Sequence, residues 1–340
     1  MSKKVVLFTY SGDAPALVPE MTQALRARGA HCLRFDNDRF PMECQAELRQ
    51  DGADDTISFC DGRDRVTLGP DDAVWYRRAR YAASLPQQMD VQLRAACVEE
   101  SKTLLRGLLA AAPCFVLDPP ELVSLCGHKP RQQRLARELG LATPRTLMTN
   151  NAQDAERFLR SCDQGAIAKM LSGFALYADK EDKREEQVVF TTALSESHLS
   201  KLDGLRYCPM VFQERIQKRL ELRITVIGRR MFAAAVDSQA TPGAEVDWRE
   251  RGVTLINAWV PYTLPSEIEA KLQVYMDRIG MQYSAIDMIV EPDGRHVFLE
   301  ANPAGEFFWL QLGGPRFPFV DALADVLTDQ PGARRPTRKF

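Results

Sequence analysis

Asp287, Glu300 and Asn302 are oxygen-bearing side chains set within or just beyond two short apolar runs, 285–290 and 296–299, which are joined by Glu291-Pro292-Asp293-Gly294. The joining residues have turn chemistry, so the pattern predicts a β-hairpin in which Asp287 and Glu300 face one another. Asn302 lies two residues beyond Glu300 and shares its face of the strand. A hard, octahedral cation such as magnesium takes one or two carboxylates and leaves its other positions to water and phosphate oxygens, which is chemistry this trio suits. The competing reading is a solvated hairpin with charged ends, and acids embedded in apolar strands speak against it.

Cations that could face a phosphate occur earlier in the chain. Lys169 ends the short apolar run 165–168. Burying an unpaired ammonium is costly, so Lys169 should meet an anion, with a nucleotide phosphate a good candidate; an edge-strand lysine reaching back to water is the alternative. Glu221 and Arg223 share a face of the apolar strand 221–228. That spacing lets a carboxylate hold ribose hydroxyls while a guanidinium reaches a transferring phosphoryl group, or leaves a cross-strand ion pair. His128 and His296 flank the motifs, but a lone histidine carries little specificity.

The elements that must position these groups follow from periodicity. Residues 4–10, 16–28 and 31–35 predict a βαβ start, with Gly29 stopping the helix. Ser11-Gly12-Asp13 lacks the glycine fingerprint of a dinucleotide site and reads as a plain turn. Residues 56–60 and 65–68 predict a hairpin around Asp61-Gly62, and 74–76 a strand followed by Arg77, Arg78 and Arg80. Leu93, Ala96, Cys97, Leu104, Leu105 and Leu108 predict one long helix over 89–112 packed on the sheet, before Asp118-Pro119-Pro120 breaks the chain. Helices are expected over 129–139, stopped by Gly140, and over 152–159; strands over 165–169 and 211–218 precede a hairpin of 221–228 with 231–236. Ser172-Gly173-Phe174 reads as a flexible flap, and the mixed-charge run 178–187 as a solvated loop.

Composition narrows the function class. At 340 residues the chain is long for one core, and its net charge of −2 gives no global field for nucleic acid or an anionic membrane. No apolar stretch approaches a membrane span, and residues 1–4 lead straight into a strand, so a cytoplasmic protein is expected. The eight cysteines include no C-x-x-C pair, a pattern that fits reduced thiols; Cys97, Cys126 and Cys208 are read as packing residues.

Taken in order, Lys129, Lys169, the segment 213–216, Glu221 with Arg223, Asp287, Glu300 and Asn302 resemble the ATP-grasp superfamily over about residues 125–311. Within it the chain is similar to ribosomal peptide maturases of the microviridin type, the graspetide synthetases. The strings that carry this are Val74-Trp75-Tyr76-Arg77-Arg78, Gln213-Glu214-Arg215-Ile216-Gln217-Lys218, Asp247-Trp248-Arg249 and Asn302-Pro303-Ala304-Gly305-Glu306-Phe307-Phe308-Trp309. Ala79 stands where the family usually has proline, and Ala304-Gly305-Glu306-Phe307 where it has asparagine, glycine, glutamine and tryptophan.

The resemblance implies an α/β chain with an ATP-grasp fold: an N-terminal βαβ pre-ATP-grasp domain (1–120), a central α/β subdomain that binds a leader peptide (121–210), a C-terminal α+β subdomain with the magnesium site (211–330) and a basic tail (331–340). ATP and magnesium are the implied cofactors. Lys129 and Lys169 would lie near the phosphates, the backbone of Gln213, Glu214 and Ile216 against adenine, and Glu221 on the ribose; Asp287, Glu300 and Asn302 would hold metal, and Arg223 and Arg249 an acyl phosphate. The implied activity is phosphorylation of Asp or Glu side chains in a precursor peptide, followed by ring closure with Ser, Thr or Lys. The implied partner is that precursor with its leader, with no nucleic acid and no membrane, and the 89–112 helix would suit a homodimer face. An intermolecular ATP-grasp carboxylate–amine ligase is the alternative. A non-catalytic nucleotide-binding regulator is disfavoured by the retained charges.

Overall fold

The computed structural model describes residues 2–52, 54–172, 175–177, 186–188, 190–314 and 316–328. The chain opens with β1 (Lys4–Thr9), α1 (Leu17–Ala27) and β2 (His31–Asp36). An antiparallel sheet of β3 (Gln45–Asp51), β4 (Asp54–Cys60) and β5 (Arg65–Thr67) follows, then β6 (Ala73–Tyr76), α2 (Val91–Ala111) and β7 (Phe115–Leu117). Strands β1, β2, β6 and β7 form a parallel sheet in the order β2-β1-β6-β7, as expected for runs this apolar with helical crossovers. Helix α2 departs from the sequence expectation in its packing: Leu93 and Leu104, on one face, are 56% and 42% exposed, and its buried apolar side chains are Leu105, Leu108 and Leu109. Strand β3 was not foreseen, because Gln45–Asp51 carries too few apolar residues to alternate clearly.

Next come α3 (Pro120–Cys126), α4 (Lys129–Glu138), β8 (Thr146–Thr149), α5 (Ala152–Arg160) and β9 (Ala166–Lys169). Strands β10 (Ala175–Tyr177) and β11 (Glu186–Val188) pair with each other. Thus the last two residues of the expected charged loop lie in a strand; residues 178–185, flap residues Gly173 and Phe174, and the tail 331–340 lie outside the described residues. Strand β12 (Thr192–Ala193), α6 (Glu196–Leu199) and β13 (Met210–Glu214) complete an antiparallel sheet, β12-β9-β13-β8, with α5 packed on it through Ala155.

The last sheet contains β14 (Leu220–Ile227) and β15 (Arg230–Val236), then, after α7 (Gly252–Leu255), β16 (Val260–Pro261). Helix α8 (Ser266–Ile279) leads to β17 (Tyr283–Val290) and β18 (His296–Asn302), and α9 (Trp309–Gly313) and α10 (Phe319–Leu327) close the described chain. The strand order is β16-β15-β14-β17-β18, antiparallel throughout, so β14 is central and β18 is an edge. Both faces are covered. Leu222, Ile224 and Val226 pack with Leu272, Tyr275 and Met276 of α8, whereas Ile227, Ala234 and Val236 join a core shared by α1, α10, Trp75 and Phe307. This alternation turns Glu221 and Arg223 away from α8. All eight cysteines are free thiols; Cys126 is buried, but Cys208 is exposed and is not a packing residue.

Candidate active site

Strand β17 presents its acid through simple alternation: Ile286, Met288 and Val290 enter the core, so Asp287 faces the other way. Strand β18 needs an irregularity to match it. From the turn, Val290, Ile289 and Met288 lie opposite His296, Val297 and Phe298, and continuing that register would set Leu299 against Asp287. Instead the ladder slips by one residue, a β-bulge at Leu299, and Glu300 pairs with Asp287 and Asn302 with Ala285. Phe298 and Ala301 can then both enter the core while Leu299, Glu300 and Asn302 line a cavity.

Helix α4 fixes the edge of that strand. Gln132 donates to Ala301 O (2.6 Å) and accepts from Ala301 N (3.1 Å), and Gln133 donates to the Leu299 carbonyl at the bulge. Lys129 lies one turn earlier on the same helical face, which brings its ammonium onto Glu300 in a direct ion pair. Pro130 in the first turn pre-sets the helical start, and Gly140, at φ +71°, ends the helix in a left-handed conformation that other residues adopt poorly.

The cavity encloses about 510 Å³ between the β8–β9–β12–β13 sheet and the sheet of β14, β17 and β18. Lys129, Lys169, Gln213, Glu214, Ile216, Glu221, Arg249, Asp287, Glu300 and Asn302 all line it. Arg223 does not. It sits behind Asp287, 7% exposed, donating from Nη1 to Asp287 (2.9 and 3.1 Å) and from Nη2 to Glu306 O (2.8 Å). Of the two sequence readings of Arg223, the cross-strand ion pair is the contact formed, in register with Asp287. Glu221 meets Lys218 (3.0 Å), which also donates to Val246 O (2.8 Å), and burial pushes the Glu221 carboxyl above its usual range despite that partner. Arg249 forks onto Asp247 through two bonds of 2.8 and 2.6 Å; burial opposes this, yet Arg249 holds Asp247 below the usual carboxylate range. Between Arg215, which donates to Gly165 O, and Arg219, which donates to Val290 O, residues 216–218 belong to neither flanking strand. His296 lies off the cavity, its Nε2 2.9 Å from the Tyr262 hydroxyl.

The cavity separates charge. Burial pushes the Lys169 ammonium down to about 8, against the pull of Glu300 and with a push from Lys129. For Glu300 burial alone would raise the pKa, but Lys129 and Lys169 outweigh it and hold the carboxyl at about 2. Burial lifts Asp287 above its usual range, and Glu300 adds to the lift against the pull of Arg223. No cluster of three or more His, Cys, Asp or Glu side chains able to hold a metal exists among the described residues. Two carboxylates and an amide oxygen on one strand pair nevertheless fit magnesium, which keeps water or phosphate in its other positions and would relieve the repulsion between Asp287 and Glu300.

Several site residues were not anticipated from sequence. Gln132 and Gln133 are buried polar residues on a helix face that an apolar-periodicity reading treats as solvated. Lys218, Asp247 and Glu306 act through partners; the paired charges of Asp247-Trp248-Arg249 and the turn residues before Glu306 were the available signals.

Residues 4–124 match the family model described as the MvdD pre-ATP grasp domain. No curated protein matches the chain. Among solved structures, macrocyclase MdnC from Microcystis aeruginosa MRC, bound with precursor peptide MdnA, is 42% identical, with a TM-score of 0.85 over 96% of this chain and 100% of that one. A RiPP-associated ATP-grasp ligase from Chryseobacterium gregarium, in complex with ADP and a leader and core peptide, is 33% identical, with a TM-score of 0.92 over 99% and 100%. Macrocyclase MdnB from Microcystis aeruginosa MRC is 31% identical, with a TM-score of 0.76 over 96% and 99%. Near-complete coverage at these identities, with the cavity already assembled from the motif residues, places the chain in the family of ATP-grasp maturases of ribosomal peptides, the graspetide synthetases.

Proposed function

We propose that this protein is an ATP-dependent ligase that closes ester or amide rings within a precursor peptide. The observation that carries this reading is one cavity in which Lys129, Lys169 and Arg249 stand with Asp287, Glu300 and Asn302. The MdnC relative is bound with a precursor peptide, and the Chryseobacterium relative holds ADP with a leader and core peptide, which supports the same two ligands here.

In this reading adenine lies against the backbone of Gln213, Glu214 and Ile216, Glu221 faces the ribose, and Lys129 and Lys169 face the phosphates. Asp287, Glu300 and Asn302 would hold magnesium, which supplies neutralisation of phosphate charge when bound. A peptide Asp or Glu carboxylate attacks the γ-phosphorus, ADP leaves, and Arg249 steadies the acyl phosphate from the cavity wall, while Arg223 acts from behind, through Asp287. A Ser or Thr hydroxyl, or a Lys amine, then attacks the acyl carbon, loses its proton and expels phosphate. Carboxylate is a poor electrophile until its oxygen becomes a good leaving group, and aligned cations lower the cost of charge crowding during transfer. Holding both side chains of one peptide makes the second step intramolecular, an effect that can supply about 7–11 kcal/mol.

The proposed units are 1–120, 121–210 with the leader site, and 211–330 with the metal site. No described helix is long and apolar enough to cross a membrane, and a cytoplasmic enzyme is proposed. A homodimer through the exposed face of α2, where Leu93 and Leu104 stand in solvent, is proposed as well. Leu93→Glu should yield monomers by light scattering; an unchanged mass would exclude that face.

The function is tested by incubating the protein with ATP, magnesium and the short acidic, Ser/Thr-bearing peptide encoded nearest its gene, followed by intact-mass analysis. Loss of one water per ring with ADP release is expected. A mass gain equal to an added amine less water would indicate the intermolecular ligase, and nucleotide binding without ADP release a regulator.

A further inference from the structure

We propose that Glu306 is a positioning residue: by tying Arg77 and Arg78 of the N-terminal sheet to its loop, it sets the orientation in which Arg223 holds Asp287. The inference rests on the ligase reading above. Glu306 Oε2 accepts from Arg77 Nη2 (2.8 Å) and Arg78 Nη2 (2.9 Å), while Oε1 accepts from the amides of Phe307 (3.1 Å) and Phe308 (3.2 Å). Arg77 is itself immobilised. Its Nε is 2.9 Å from Asp13, which accepts from Thr9 Oγ1 (2.6 Å), and its guanidinium lies 5.7 Å from the Trp75 ring and 5.8 Å from the Phe307 ring. The Glu306 side chain is therefore fixed from a rigid parallel sheet, and the carboxylate fixes its own backbone.

That backbone governs Arg223. Among the described residues the Arg223 Nε is buried without a hydrogen-bond partner, so the guanidinium is aimed by Nη1 on Asp287 and Nη2 on Glu306 O. The loop comes unusually near: a Cβ at Gly305 would stand 2.6 Å from Ala285 Cβ and 2.9 Å from Arg223 Nη2, closer than side-chain carbons approach. Trp309 Nε1 also donates to Glu306 O (3.2 Å), and its ring packs on Trp248 and Trp259, with Trp248 lining the cavity. Displacing Glu306 thus rotates Arg223, disturbs Asp287 and registers in the tryptophan cluster.

Glu306→Leu keeps much of the volume but removes both acceptors. With wild type releasing ADP in the presence of precursor peptide, E306L is expected to lower kcat about tenfold at unchanged KM for ATP, and to shift tryptophan emission. Gly305→Ala should lower kcat in the same direction. Arg78→Gln combined with E306L should cost no more kcat than E306L alone, and the pair should be non-additive in urea unfolding. Unchanged kcat in both E306L and G305A, a loss confined to KM, or full additivity with R78Q would overturn the proposal. Should wild type release no ADP with any precursor, the ligase reading fails, and the Arg78–Glu306 linkage stands or falls on the unfolding cycle.

Discussion

Asp287→Asn is expected to abolish ATP turnover, by about 10³-fold or more, in a protein that still folds. The two halves of that result have separate causes. Burial and Glu300 oppose ionisation of the Asp287 carboxyl, so an amide of the same shape fits its place; Arg223 loses its counter-ion but keeps its bond to Glu306 O, and the stability cost stays below what unfolds the protein. What disappears is one of the two anionic oxygen donors on the strand pair, and no further carboxylate lines that part of the cavity to replace it. Glu300→Gln should be as damaging to turnover but should cost about 1–2 kcal/mol more stability, because Lys129 and Lys169 lose their shared counter-ion. Glu300, held at about 2, contributes stability that is present above its ordinary range and is lost as pH falls toward 2. In E300Q that part of the acid transition should vanish. Circular dichroism and ADP release on the same samples check both statements, and turnover retained in both variants would sink the metal assignment.

Lys169→Met should separate stability from function in the opposite sense. Its ammonium has a folded-state pKa of about 8 against an ordinary 10.5, so below pH 8 the folded protein carries a buried charge it would rather lose, at a cost of about 3 kcal/mol for the full shift. Between 8 and 10.5 the unfolded chain binds the extra proton, and wild-type stability should rise with pH through that window. K169M removes the charge and should be more stable than wild type at pH 7 by about 1–3 kcal/mol, the lower figure allowing for the attraction Glu300 loses. Nucleotide phosphates need the same charge, so ATP affinity should fall on the order of 10- to 100-fold. Wild-type affinity should also weaken as pH rises past about 8, whereas K169M should show no such step. Calorimetric titration with ATP over pH 6.5–9.5 measures this. Wild-type affinity in K169M would remove Lys169 from the phosphate site.

The cavity was legible in the sequence to the extent that its chemistry was local. Asp287 and Lys169 announce themselves because a charge inside an apolar strand has few explanations, and the structure sets both on cavity-facing positions. Glu300 was assigned to the correct face without its cause. Strict alternation from Phe298 would have put Glu300 on the core side, and only the bulge at Leu299 reconciles a buried Phe298 with a cavity-facing Glu300. Contacts between distant segments left no local trace. Arg77 and Glu306 are 229 positions apart, and Gln132 and Ala301 are 169 apart. Helix α2 forms where its periodicity puts it, but its packing was not legible: periodicity records an apolar stripe and not whether a partner covers it, and Leu93 and Leu104 remain exposed.

The two glutamines of α4 have one more effect. Strand β18 is a sheet edge beside the cavity, and an open edge offers its amides and carbonyls to any extended chain that passes. Gln132 meets Ala301 with a donor and an acceptor in the arrangement of a neighbouring peptide group, Gln133 takes the Leu299 carbonyl, and Ala142 O takes the Phe298 amide. The edge is therefore already zipped by its own chain. An extended chain passing the cavity on that side cannot lengthen the sheet at β18.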